Sequence, residues 1–314
     1  MFEERFVPVA HLLTDFEKRL MNDCLKKLDA HDDALRFNSF ATPFRELIRV
    51  ILHRLAPDEE VLKCNWYTVE ADKITRRQRV IYAIKGGLDD EFIQGELGIN
   101  ITEVTSNLGE AISNLNKLTH INESYYDMPY DEALKMAFNA TDFLVRVLSG
   151  INETRIRIID AYEIRLNELI TSAAIEDVID EIDILATHYW IDDIQVEQID
   201  ITEITSTLIH IEVKGNIDVT HQYGSDRDVS EGNGIHSDGS YPFTIKTHVD
   251  VADPLEVTIT TDDLQVDNSS HFDDGDDVDN DENYEPGVEE NAQIDDNPED
   301  FKKVINFLEE RRKQ

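Results

Sequence analysis

Cysteine is nearly absent, with only Cys24 and Cys64 in 314 residues. Two isolated thiols exclude a disulfide framework or a cysteine-rich zinc site and fit a reducing, cytoplasmic setting. Long apolar runs are missing too. No stretch approaches the roughly 18 apolar residues that span a bilayer, so no membrane partner is expected. The opening Met1-Phe-Glu-Glu-Arg has no basic region ahead of an apolar run, so no secretory signal is expected. The scarcest property is positive charge: 29 Lys and Arg stand against 67 Asp and Glu, a net charge of -38.

That charge is unevenly spread. Residues 1–100 hold 15 basic and 18 acidic side chains (-3), residues 101–200 hold 6 and 20 (-14), and residues 201–314 hold 8 and 29 (-21). Much of the excess lies in sequence with a folded pattern, where self-repulsion opposes compaction at ordinary ionic strength. At molar salt the Debye length is roughly 3 Å. A dispersed acidic surface therefore points to salt adaptation ahead of a local acidic partner surface.

The pattern predicts an α+β protein. Residues 1–128 read as an all-helical N-terminal domain. Thr14 and Glu17 form a capping-box pattern ahead of Phe16, Leu20, Cys24 and Leu28. Thr42 and Pro43 suit the start of a helix carrying Phe44, Leu47, Ile48, Ile51, Leu52 and Leu55. A further helix starts after Thr75 and stops at Gly86-Gly87. Residues 129–190 read as a long helical hairpin or connector turning at Gly150, with a last helix over Ile175 to His188.

The period then changes from 3.6 to 2. Residues 191–262 read as a small, mostly antiparallel sheet, with Gly215-Asn216 as a hairpin signal and Leu255, Val257 and Ile259 in a final strand. Residues 263–296 read as a disordered acidic linker, since 273–300 contain 14 acids in 28 positions and no basic residue. Residues 297–314 carry Phe301, Val304, Ile305 and Leu308 on one stripe, an amphipathic helix suited to docking a protein partner.

Four constellations carry possible chemistry. Arg45, Arg49 and His53 share one helical face by their spacing of four. Helical ribonucleases of the HEPN type set an Arg and a His further apart than Arg49 and His53, so this stripe reads as a solvated polar face. Residues Phe92 to Leu108, with Gly98 in the turn, have helix-turn-helix spacing, but the second helix offers Glu103 and Glu110 to DNA and no base before Lys117. Glu212-Val213-Lys214 is an E-x-K tripeptide late in a strand, with Asp193 and Asp200 upstream. Nucleases of the PD-(D/E)xK type use this order, with carboxylates holding Mg²⁺ and a Lys helping to activate water. That assigns Glu212 and Lys214 as catalytic residues and Asp193, Asp200 and Glu212 as metal ligands. The polar turn His221 to Asp228, with His221, Asp226 and Asp228, is either a site at a strand end or only a turn.

Two groups of phrases resemble a known family. Phe40–Pro57 (FATPFRELIRVILHRLAP), Thr75–Leu88 (TRRQRVIYAIKGGL) and Asn114–Ile121 (NLNKLTHI) form one. Gly215–Asp228 (GNIDVTHQYGSDRD) with Tyr241–Phe243 (YPF) forms the other. Together they resemble predicted nucleases associated with prokaryotic PIWI-type defence systems. The resemblance implies a helical region, a β-rich domain, a nucleic acid substrate and a role in intracellular defence. Two other functions fit the pattern: a non-catalytic adaptor assembling a defence complex, and a helix-turn-helix DNA binder.

Overall fold

The computed structural model describes residues 2–30, 33–106, 108–121, 123, 126 and 128–273. The predicted 297–314 helix and most of the predicted acidic linker lie outside them.

Five helices of ten or more residues occur among the described residues: α1 (Asp15–Leu28), α2 (Arg36–Leu55), α3 (Arg76–Lys85), α4 (Leu108–Thr119) and α5 (Tyr130–Glu176). Two capping boxes set their starts. Thr14 accepts from the Glu17 N–H while Glu17 accepts from that of Thr14, and Thr75 and Gln78 do the same for α3. Helix α2 lies against α1, α3 and α4, and α5 packs on α3, α4 and the sheet.

Helix α2 starts at Arg36, six residues before the predicted Thr42 cap, and Pro43 sits inside it. Its apolar face already begins at Phe37, Phe40 and Ala41, all buried, and the Phe40 and Phe44 rings stack at 4.9 Å. Burial of that continuous face outweighs the backbone hydrogen bond that proline cannot donate.

The predicted hairpin over 129–190 is instead one continuous 47-residue helix, α5. Gly150 costs about 1 kcal/mol relative to alanine within a helix, and packing on both sides carries the helix through it. Val147, Leu148 and Ile151 are buried before and after it, and Ile158, Tyr162, Leu166 and Ile170 continue the face at a spacing of four. The predicted 175–188 helix reduces to one turn, Asp180–Asp183, and His188 already belongs to the sheet.

The sheet is antiparallel throughout, in the order β1 (His188–Ile204), β2 (Leu208–Tyr223), β3 (Ile235–Asp250) and β4 (Leu264–Val266). Along β2, Ile209, Ile211, Val213, Ile217 and Val219 face the core and alternate with His210, Glu212, Lys214, Asn216 and Asp218. Gly215-Asn216 is not a hairpin. It lies mid-strand, where a Cβ at Gly215 would stand 2.1 Å from the Gln195 carbonyl oxygen and 2.7 Å from the Phe243 ring. Glycine is there for close approach; the chain reverses at Thr205-Ser206-Thr207, where the Thr205 N–H donates to the Leu208 carbonyl. Leu255 to Ile259 forms no strand, and β4 occupies part of the predicted linker, with Leu264 and Val266 buried. Three residues are too short to show a period of two.

The two halves meet at the β1–β2 turn. Gly86, with φ of 56°, and Gly87 end α3 against Ile204 to Ser206, and the Gly87 N–H donates to the Thr205 carbonyl.

Candidate functional site

The E-x-K pair lies on the outward face of β2. Lys214 Nζ stands 2.9 Å from Glu212 Oε1, as the alternation of a strand requires. Each supports the other's charged form: the lysine hydrogen bond holds the Glu212 carboxyl below the usual range, and Glu212 raises Lys214. Asp200 is opposite Glu212 in the β1–β2 register, and Gln198 is opposite Lys214. Asp193 is elsewhere. It pairs with Asp218, six residues along β2 from Glu212, which is roughly 20 Å at the rise of a strand. Its carboxylate accepts from Gln195 and the Ile194 N–H. The register thus joins Asp200, Glu212 and Lys214 and separates Asp193. Among the described residues, no three His, Cys, Asp or Glu side chains form a group that could hold a metal ion.

The polar turn divides in two. Asp228 receives the Ser225 hydroxyl at 2.6 Å and backbone N–H at 2.9 Å, closing the capping box of a one-turn helix, Asp226–Ser230. Asp226 accepts from Gln222. Both acids hold the turn in shape. His221 points the other way, fully buried, with Nε2 2.8 Å from the Tyr241 hydroxyl, which also meets His271 Nδ1 at 3.1 Å.

The Arg49–His53 stripe is the surprise. Arg49 and His53 are exposed, as a solvated polar face requires, and they also form one wall of an open cavity of about 770 Å³ between α2, the N-terminal turn of α3 and the 58–74 connection. Arg49, His53, Lys73, Arg76 and Arg79 line it with Tyr67, against the carboxylates of Asp58 and Asp72. Arg79 is buried, donating to the Ala56 carbonyl and pairing with Asp58. Arg49 pairs with Glu46 at 2.7 Å. Arg45 contacts Glu46 at 3.8 Å and does not line the cavity. Lys73 and Arg76 form no salt bridge among the described residues. Partial burial, then the positive charges of Arg79 and Arg49, hold the His53 imidazole below its ordinary range, against an opposing pull from Asp58. A neutral imidazole beside uncommitted cations can accept a proton next to a bound phosphodiester.

Sequence spacing finds Arg49 and His53 but misses Asp58, which opens a one-turn helix (Asp58–Val61), and Tyr67, Asp72 and Lys73, which reach the cavity from an irregular segment. Arg76 and Arg79 carry a signal in their spacing of three, which sets both on one face of α3.

No helix among the described residues is long and apolar enough to cross a membrane. Two family models match the chain, one over residues 9–144 and one over residues 151–272, and both are described as predicted pPIWI-associating nucleases. No curated protein and no solved structure matches it. The two matches cover both halves of the fold, and the chain belongs to the predicted pPIWI-associating nucleases.

Proposed function

We propose that the protein is a nuclease of intracellular defence against foreign nucleic acid, and that the basic cavity beside α3 is where it seats the phosphodiester. One observation carries this reading. In a chain of net charge -38, Arg49, Lys73, Arg76 and Arg79 gather on one concave surface around His53. These four cations outnumber the carboxylates of Asp58 and Asp72 in the same wall, and a concave surface with an excess of one charge sign concentrates a ligand of the opposite sign. Lys73 and Arg76 neutralise phosphate oxygens, and His53 takes or returns the proton. The test is cleavage of labelled RNA and DNA by the full chain and by His53→Asn. Losing general acid–base catalysis lowers the rate by about 10²- to 10⁴-fold. An unchanged rate removes His53 from the reaction. Binding without cleavage in the unaltered chain makes the protein a non-catalytic adaptor.

The β-sheet register favours a second reading. Asp200 and Glu212 oppose each other beside Lys214, and Mg²⁺ is commonly held by one or two carboxylates with water and substrate phosphates. In that reading Mg²⁺ supplies charge stabilisation at the phosphate. Cleavage abolished in Glu212→Ala and Lys214→Ala, yet intact in His53→Asn, selects it.

A further inference from the structure

The basic cavity has a neighbour. A second cavity, of about 200 Å³, opens on the other side of α3's first turn, and Trp66 and Arg77 line it. Consecutive residues of the chain therefore serve the two cavities in matched pairs: Tyr67 with Arg76 in the first, Trp66 with Arg77 in the second. Both rings pack partly against the small cluster of Ala56, Val61, Cys64 and Tyr82 and remain half-buried. Trp66 is fixed in place, since its Nε1 donates to the Gly86 carbonyl at 2.8 Å and Lys85 Nζ lies 5.3 Å from the ring centre. Of the carboxylates lining the two cavities, Asp58 and Asp90 are paired with Arg79 and Lys85, while Asp72 in the first and Glu70 in the second form no salt bridge among the described residues. Arg76, Arg77 and Lys73 form no salt bridge among the described residues.

From this arrangement we propose that the two cavities are adjacent subsites for single-stranded nucleic acid. The strand crosses the Trp66-Tyr67 pair, with a base against each ring and its phosphates on Arg76, Arg77 and Lys73. Bases in a duplex are stacked on each other and closed to such rings, whereas a single strand presents them. Every base has a π-face, so binding is tolerant of sequence. The proposal rests on the reading of the first cavity as a nucleic acid site and adds the class of substrate and the second subsite.

Tryptophan fluorescence tests it. The chain has two tryptophans, so Trp190→Phe leaves Trp66 as the reporter. Titration with a single-stranded oligonucleotide at low salt, as DNA and as RNA, is expected to quench Trp66. A duplex of the same sequence is expected to bind more weakly by about tenfold, the scale of one lost stacking contact. Arg77→Gln and Arg76→Gln are each expected to weaken single-strand binding severalfold and to flatten its salt dependence by about one phosphate contact. Unchanged Trp66 emission with an unaffected Arg77→Gln, while Arg76→Gln weakens binding, overturns the second subsite and keeps the first cavity. A preference for duplex also overturns the proposal. Failure of the chain to bind either form defeats the underlying reading of the basic cavity itself.

Discussion

Glu60 and Ser206, 146 residues apart, are joined by two hydrogen bonds to one carboxylate oxygen: Glu60 Oε2 receives the Ser206 N–H at 3.0 Å and its hydroxyl at 2.7 Å. Lys63 holds the other oxygen at 2.7 Å. The bonds from Lys63 and then Ser206 lower the Glu60 carboxyl to about 2. This contact fastens the helical half to the β1–β2 turn.

Replacing Glu60 with Ala is expected to destabilise the chain by about 1.5–3 kcal/mol, the range for hydrogen bonds to a charged group. The folded carboxyl ionises below its unfolded value of 4.5. Its contribution is therefore full above pH 4.5 and is lost as pH falls towards 2. Urea denaturation across that interval should show a shallower acid loss in Glu60→Ala than in the unaltered chain. Equal slopes would remove Glu60 from the linkage.

Gly87→Ala tests the same seam sterically. A Cβ there would stand 2.0 Å from the Ser206 carbonyl oxygen, so the turn must move. Overpacking of this kind costs about 1–3 kcal/mol. Gly109→Ala in α4 is the control: nothing lies within 4 Å of its added Cβ, and stability should rise by roughly 0.5–1 kcal/mol. Thermal melts of the two variants should move in opposite directions.

These seam residues show what sequence discloses. Gly86-Gly87 is legible as the end of a helix, but its tight approach to Ser206 depends on a turn more than a hundred residues away. Gly215 misleads for the same reason: the signal for a turn and the signal for close packing are one residue type, and only the Gln195 carbonyl and the Phe243 ring tell them apart. Local caps, such as Thr14 with Glu17, are fully legible because both partners lie within one turn. Half of the basic cavity is legible, through Arg49 and His53 on a regular helix. Tyr67 and Lys73 come from chain without a period and have no pattern to betray them.

Acid should also weaken the chain through His221. Burial, with His271 beside it, keeps this imidazole neutral and below its ordinary value of 6.5. The unfolded chain therefore takes up a proton first, and stability falls as pH drops below 6.5. In His221→Gln, the slope of stability against pH between 6.5 and 5 is expected to decrease. An unchanged slope would falsify the assignment.

Lys214→Ala is expected to leave stability within about 1 kcal/mol of the unaltered chain, since exposed ion pairs contribute little. The same measurement gives meaning to a cleavage assay. If Lys214→Ala melts normally and no longer cuts, the sheet face is chemical; if it melts normally and cuts normally, the pair is only surface.

Helix α5 has a consequence for how the protein can be divided. The family matches end at 144 and resume at 151, both inside its 47 residues, a rod of about 70 Å at the rise of an α-helix. A fragment cut at that seam would carry a severed half-rod, with Leu144, Val147, Leu148 and Ile151 stripped of the neighbours that bury them. What reads as two modules in sequence is therefore one indivisible object for expression, truncation and genetic fusion.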